Sequence, residues 1–196
     1  IWFGIFTPTE SAGIGALFAL ILAILKKTSW RDIGSAVLET GKISAPILFL
    51  LIAAQMYARL LAMGGISEDV QNFFTFFGDD FYTILIIMVI TWFVLGMFID
   101  SVSIILLTVP LFTPIAGTLG YDPIAFAIIG IVAIEAGLLT PPLGLCVYTV
   151  KGSISDPEAT LGMIFLGSVP YWIILIILVF LIAFFPILAT WLPSLM

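Results

Sequence analysis

Histidine is absent from this sequence, and cysteine occurs only once, at Cys146. Without histidine, zinc, copper and haem sites lose their usual ligands, and histidine-dependent catalysis is excluded. A single cysteine cannot form a disulfide within the chain or a thiolate metal cluster. We therefore expect no bound cofactor and no enzyme active site of these kinds.

Charged residues are scarce as well, at 9% of the 196 residues, whereas 62% are hydrophobic. A soluble domain of this length could not cover its surface with so few polar side chains. Several apolar runs approach the ~20 residues that span a lipid bilayer. The composition predicts an all-α, polytopic membrane protein, and the lack of a basic face excludes nucleic acid as a partner.

The apolar runs are separated by short polar links. The chain opens at Ile1 without a basic leader, so we expect it to begin partway through a larger protein. Residues 29–42 are amphipathic and form either a helix in the headgroup plane or an extension of the following span. Polar links are predicted at 66–80 and 151–163. The runs predict spans or half-spans over residues 7–25, 43–63, 81–98, 104–115, 124–134, 143–150 and 170–188.

Positive charges indicate the orientation of the chain. Of its six lysine and arginine residues, Lys26, Lys27, Arg31 and Lys42 lie between the first two spans, which places that connection in the cytoplasm. The acidic 66–80 link then lies outside. In this topology the two arms on either side of Asp100 form a hairpin that enters and leaves from the outer face, and Lys151 lies inside. If both arms were full spans, Lys151 would lie outside.

The stretch "LLTPPLGL" interrupts an apolar run. Consecutive prolines remove two backbone donors and force the preceding threonine toward an extended conformation. Backbone groups freed in hydrocarbon cost several kcal/mol each unless they find other partners. The segment is either a kink supported by a neighbouring helix or a discontinuous helix whose unwound carbonyls coordinate a small cation. We predict that the backbone leaves helix at 138–142.

The stretch "GMFIDSVS" interrupts a second apolar run and predicts a break at 96–101. A carboxylate at membrane depth is expensive and indicates a functional role for Asp100. The alternative is that Asp100 lies in water or at the interface, at the tip of the hairpin. Together the two breaks offer carboxylate, hydroxyl and carbonyl oxygens, which suit an alkali cation.

Three motifs follow one another along the chain: "GIFTPTESAG", "GMFIDSVSIILLTVPLFTPI" and "EAGLLTPPLGLCVYTVKG". In this order and spacing they closely resemble the large membrane subunit of tripartite ATP-independent periplasmic (TRAP) transporters. The resemblance covers essentially the whole chain and is to the second half of that subunit. Many relatives have Pro-Thr after the hairpin aspartate, where this chain has Ser101 and Val102, and asparagine in place of Glu135.

The resemblance implies an elevator-type secondary transporter built from two inverted repeats. This chain would be the second repeat. Residues 1–65 would form scaffold spans with an amphipathic connecting helix, 66–170 the hairpin and broken-helix transport part, and 171–196 the final span. Sodium would drive uptake of an organic acid, such as a dicarboxylate or sialic acid, across the bacterial inner membrane. The partners would be a small four-helix membrane subunit, a periplasmic substrate-binding protein and the N-terminal half of the same subunit.

The resemblance also implies site residues, at the hairpin tip and at the broken helix. The role of Glu135 stays open between the same site and a partner in the other half of the subunit. The predicted sodium ligands are Gly96, Asp100, Ser101, Gly137, Leu139 and Thr140. The residues predicted to contact substrate or to gate are Ser103, Glu135, Pro141 and Pro142.

Two functions from other classes compete with transport. An intramembrane prenyltransferase would need clustered aspartates for magnesium diphosphate, and Asp79–Asp80 is the only adjacent pair. A structural or assembly subunit would use the two breaks as mere kinks. Sodium-dependent uptake by the full-length protein separates a transporter from such a scaffold.

Overall fold

A computed structural model describes residues 5–76, 78, 80–154 and 158–195. Within these ranges all regular secondary structure is helical, without strands, which confirms the all-α prediction. Asp79 of the aspartate pair and residues 155–157 of the second link lie outside the described residues. The α-helices are α1 (Pro8–Leu25), α2 (Trp30–Met63), α3 (Ile66–Phe76), α4 (Phe81–Gly96), α5 (Ser101–Thr118), α6 (Pro123–Leu138), α7 (Leu145–Ser153), α8 (Leu161–Phe184) and α9 (Ile187–Thr190), and a 3₁₀ turn covers Pro193–Leu195.

The apolar helices that could enter a membrane differ in length. In the described part of the chain, α1, α2, α5 and α8 are long and apolar enough to cross a membrane. Helices α4 and α6 have 16 residues each, or about 24 Å at 1.5 Å per residue, which is short of the ~30 Å hydrocarbon core. The chain is a multi-pass helical membrane protein in which shorter apolar helices alternate with full-length ones.

The first of two compact units comprises residues 1–55 and 194–196. Thr7 begins α1 through a capping box, in which its hydroxyl accepts a hydrogen bond from the Glu10 N–H while the Glu10 carboxylate accepts one from the Thr7 N–H at 2.8 Å. Helix α2 starts here at Trp30 and continues without a break, so residues 29–42 extend the following span. The headgroup-plane helix is therefore wrong as a separate element. Pro46 lies within α2 without ending it.

The second compact unit comprises residues 56–193 and contains the hydrophobic core. Helix α4 packs against α5 and α6, and α6 packs against α8. Trp92 of α4 lies at the centre, where its indole N–H donates to the Thr108 hydroxyl of α5 at 2.8 Å. The Trp92 ring also covers Gly130 of α6, where a β-carbon would lie 2.9 Å from it. One buried aromatic residue thus joins both hairpin arms to α6.

Residues 66–76 form helix α3, so the prediction of a polar link is wrong for this segment. Its acidic residues Glu68 and Asp69 occupy the first turn, where they complement the helix dipole. Val70 and Phe74, four residues apart, place one face of α3 against the core. The Phe74 ring meets Phe112 of α5 edge-on at 5.6 Å. The sequence prediction rested on the charged residues and missed the helical spacing of the apolar residues Val70 and Phe74.

Three prolines lie inside helices that were predicted to be shorter. Helix α8 begins at Leu161, nine positions before the predicted start at Pro170, because Thr160 caps it by accepting a hydrogen bond from the Met163 N–H. Helix α5 likewise runs through Pro110 and Pro114 to Thr118. A proline in a membrane helix is tolerated where neighbouring groups take over the freed carbonyl.

Candidate functional site

Two helical breaks occur where the sequence predicts them. Helix α4 ends at Gly96 and α5 begins at Ser101, whereas α6 ends at Leu138 and α7 begins only at Leu145. The second break extends two residues past the predicted 138–142, because Gly144 adopts a left-handed conformation with φ of 53°. The peptide bond between Pro141 and Pro142 is cis. The two-break prediction is confirmed, and the interpretation of the second segment as a kink is wrong.

The ends of α4 and α6 touch through two glycines. A β-carbon on Gly96 would lie 2.6 Å from the Ile134 carbonyl oxygen and 3.0 Å from the Gly137 α-carbon. A β-carbon on Gly137 would overlap the Phe93 carbonyl oxygen and lie 2.8 Å from the Gly96 α-carbon. Only glycine allows helix backbones to approach so closely. The predicted site residues Gly96 and Gly137 are therefore in contact, and both breaks start from this point.

Asp100 ends the hairpin break as the N-cap of α5. Its Oδ1 accepts a hydrogen bond from the Ser103 N–H at 3.0 Å, and its Oδ2 accepts one from the Ser103 hydroxyl at 2.6 Å. The Asp100 side chain is exposed, and Ser101 and Ser103 are half-buried. A carboxylate has about four acceptor sites, so Asp100 keeps capacity for a further ligand. Ion binding and a position in water at the hairpin tip both agree with this exposure.

Several local hydrogen bonds replace those that the backbone loses at the second break. Pro141 and Pro142 have no N–H, so the carbonyls of Gly137 and Leu138 lose the donors that a continuous helix would supply. The Thr140 N–H instead donates to the Gly137 carbonyl at 2.9 Å. The Thr140 hydroxyl, which is buried, donates to the Ala136 carbonyl at 2.8 Å. These bonds replace part of the lost helical ladder with local turns.

A residue outside the predicted site also donates a hydrogen bond to this break. Ser168 of α8 is buried, and its hydroxyl lies 3.0 Å from the Leu139 carbonyl oxygen and 2.8 Å from the Phe165 carbonyl oxygen. Its single proton serves these two acceptors. The only sequence signal for Ser168 is a small polar residue within an apolar helix, a residue type that forms hydrogen bonds between membrane helices.

The chain matches the family described as the tripartite ATP-independent periplasmic transporter, DctM component, over residues 1–188. It belongs to that family. The resemblance drawn from the three motifs is thereby confirmed. The family consists of transporter components, which confirms the prediction that the chain is not an enzyme and disposes of the prenyltransferase alternative.

Three relatives illustrate the match. The chain is 30% identical over 196 residues to the C4-dicarboxylate TRAP transporter large permease protein DctM of Pseudomonas aeruginosa, covering 99% of the chain and 45% of that protein. It is 29% identical to the sialic acid TRAP transporter large permease protein SiaM of Vibrio cholerae, in a match that covers 100% of the chain and 45% of that protein. It is 27% identical to the ectoine/5-hydroxyectoine TRAP transporter large permease protein UehC of Ruegeria pomeroyi, in a match that again covers 100% of the chain and 45% of that protein. The chain spans less than half the length of these relatives.

The donor set of this TRAP permease chain suits the sodium ion that the family resemblance implies. The available groups are the Asp100 carboxylate, the Ser101 hydroxyl and the carbonyls between Gly137 and Thr140, all of which are oxygens. Among the described residues no three histidine, cysteine, aspartate or glutamate side chains cluster as they would around a transition metal. Hard oxygen ligands and unwound carbonyls are the usual partners of sodium in broken membrane helices. The chemistry fits, and the individual ligand assignments stay predictions.

The remaining predicted residues lie around the same break. Glu135 is half-buried on α6, two positions before Gly137, and Pro141 and Pro142 are exposed. Trp172 of α8 lies close by, with its ring centroid 6.2 Å from that of Phe93. Its indole nitrogen is buried and has no hydrogen-bond acceptor among the described residues. The sequence analysis did not single out Trp172, and the roles of Glu135 and the prolines stay predictions.

Proposed function

We propose that this chain forms the second half of a permease that couples sodium entry to the uptake of an organic acid across the bacterial inner membrane. Membership of the DctM family supports the class of protein. The contact of Gly96 with Gly137 is the observation that carries the proposal, because it brings the hairpin break and the broken-helix break together. The two interruptions are thereby adjacent, as a site built from both of them requires.

Sodium binding is proposed at the oxygens around this contact. An unpaired carboxylate within a membrane costs at least ~2.5–3.5 kcal/mol on insertion scales, and a bound cation would offset that cost. Asp100 and Ser101 would supply ligands from the hairpin, and the carbonyls of Gly137, Leu139 and Thr140 would supply them from the broken helix. An ion held by both breaks favours the state in which the hairpin lies against the broken helix.

Substrate would then bind beside the ion. The named solutes of the three relatives are C4-dicarboxylates, sialic acid and ectoine or 5-hydroxyectoine, and each of these compounds carries a carboxylate. We propose a carboxylate substrate for this permease too, with Ser103, Glu135 and the two prolines in binding or gating. A bound sodium ion would also offset the negative charge of such a solute.

The complete transporter would contain three proteins. We propose that the full-length permease works with a small four-helix membrane subunit and a periplasmic protein that delivers the organic acid. The other half of the permease would supply the first hairpin and the matching half of the substrate site. Transport by elevator movement of 66–170 against scaffold spans is part of this proposal.

Reconstitution tests the proposal. The full-length permease and its small subunit are placed in proteoliposomes, and the loaded binding protein is added outside with a C4-dicarboxylate, sialic acid or ectoine as the labelled solute. An inward sodium gradient is expected to drive uptake of one solute, and an equal potassium gradient is expected to drive none. Equal uptake with both gradients would overturn sodium coupling. No uptake of a solute that the binding protein does bind would favour the structural or assembly role.

A further inference from the structure

One face of α8 holds the region where the two breaks meet. Phe165, Ser168 and Trp172 are spaced by three and four positions, so they share this face. The Phe165 ring fills the space beside Gly144, where a β-carbon would lie 2.6 Å from its Cε1. Trp172 lies against Phe93 of the first hairpin arm. This face therefore contacts the broken helix at its restart and the hairpin close to its own break.

Ser168 makes the polar contact of this face. Helix α6 ends before Leu139, so no later helical N–H follows in register to occupy the Leu139 carbonyl. The Ser168 hydroxyl reaches that oxygen from a helix 29 positions further along the chain. Ser168 is only 8% exposed, so water competes little for this hydrogen bond. The Ser168 hydroxyl, which shares its proton with the Phe165 carbonyl of its own helix at 2.8 Å, thus ties the Leu139 carbonyl to α8.

We propose that Ser168 is a positioning residue for the sodium site, and this inference rests on the proposed sodium coupling. A carbonyl oxygen has two lone pairs, so the Leu139 oxygen can accept the Ser168 hydrogen bond and still face an ion. Residues that orient metal ligands in this way without touching the metal change its affinity by about 10–100-fold when they are removed. In this proposal Ser168 orients a backbone carbonyl ligand, that of Leu139, without touching the ion.

The test uses the full-length permease with its small subunit. Binding of ²²Na⁺ to the purified complex and initial uptake rates at increasing sodium are measured for wild type, Ser168→Ala and Ser168→Thr. Ser168→Ala is expected to weaken sodium binding by about tenfold or more, with its maximal uptake rate close to wild type. Ser168→Thr keeps the hydroxyl and is expected to restore the affinity. Ser153→Ala is the control, because the Ser153 hydroxyl donates only within its own helix, to the Thr149 carbonyl.

Wild-type sodium affinity in Ser168→Ala would overturn the inference. So would a lower maximal rate at unchanged sodium affinity, because that result describes a general structural role. If Ser168→Ala does not fold, Ser168→Cys retains the size with a weaker donor, and wild-type affinity in that variant would equally overturn it. A wild-type complex that binds no sodium would overturn the proposed function, together with this inference.

Discussion

The two breaks differ in what holds them. The hairpin break is closed by its own helix, since Asp100 caps α5 through two hydrogen bonds from Ser103 and its side chain stays exposed. The broken-helix break is also held from outside, by Ser168 and by the ring of Phe165, which meet it at the Leu139 carbonyl and at the buried Gly144. The first break is therefore capped within its own hairpin, whereas the second also depends on contacts from a neighbouring helix.

The two breaks also offer different chemical groups. The exposed Asp100 carboxylate brings charge and spare acceptor capacity, and the broken-helix break brings the Leu139 carbonyl that Ser168 orients. The glycine contact between α4 and α6 joins them without a side chain in the way. Each of the following substitutions breaks one side of this comparison.

The largest effect is expected at the glycine contact. Gly137→Ala places a methyl group against the Phe93 carbonyl and the Gly96 backbone, so α4 and α6 must separate. Overpacking of this kind costs ~1–3 kcal/mol, and we expect a lower thermal midpoint and loss of most sodium-driven uptake. Gly117→Ala is the matched control, because Gly117 is also the next-to-last residue of its helix and has nothing within 4 Å of a β-carbon. Equal behaviour of the two variants would show that the close approach is unnecessary.

A smaller effect is expected where α8 packs on the restart of the broken helix. Gly144→Ala must adopt a positive φ and also meets the Phe165 ring. Gly120→Ala carries only the first penalty, because Gly120 has φ of 77° and open space around it. We expect Gly144→Ala to be less stable than Gly120→Ala by ~1 kcal/mol or more, measured by thermal unfolding in detergent. Equal stabilities would mean that Phe165 does not hold this break.

The smallest effect is expected at the cap of the hairpin break. Ser103→Ala removes one hydroxyl donor from Asp100 but leaves the backbone N–H in place. The expected loss of stability is ~0.5–1.5 kcal/mol, similar to that of Thr83→Ala, which removes the equivalent donor from the N-cap Asp80 of α4. A larger loss than in Gly144→Ala would contradict the assignment of this break as the one held by its own helix.

The sequence predicted the breaks well because proline, glycine and a helix-capping aspartate act locally. The pair Pro141–Pro142 removes two consecutive helical donors, and an aspartate such as Asp100 favours the N-cap position at which a helix begins. The close approach of Gly96 to Gly137 was implied only by the family resemblance, because it depends on how two helices cross. Ser168 and Trp172 were missed since a serine or tryptophan in an apolar run gives no sign of which break it faces.

Helix lengths were predicted less well, for two physical reasons. Pro170 indicated the start of α8, but membrane helices accommodate proline, and Thr160 provides the actual N-cap. The acidic residues of 66–76 indicated a link, but the burial of Phe74 stabilises a helix there. The division into scaffold, transport and final-span parts stays a prediction, because it concerns movement between states.

Sodium binding to Asp100→Asn tests the central claim most directly. Asparagine caps a helix about as well as aspartate, so the variant should fold, and the matched control is Asp122→Asn, which alters the N-cap of α6. Binding of ²²Na⁺ to the purified full-length complex is measured at a sodium concentration that saturates the wild type. We predict that Asp100→Asn binds less sodium than wild type while Asp122→Asn binds the same amount. Wild-type sodium binding in Asp100→Asn would remove this carboxylate from the ion site and contradict the account.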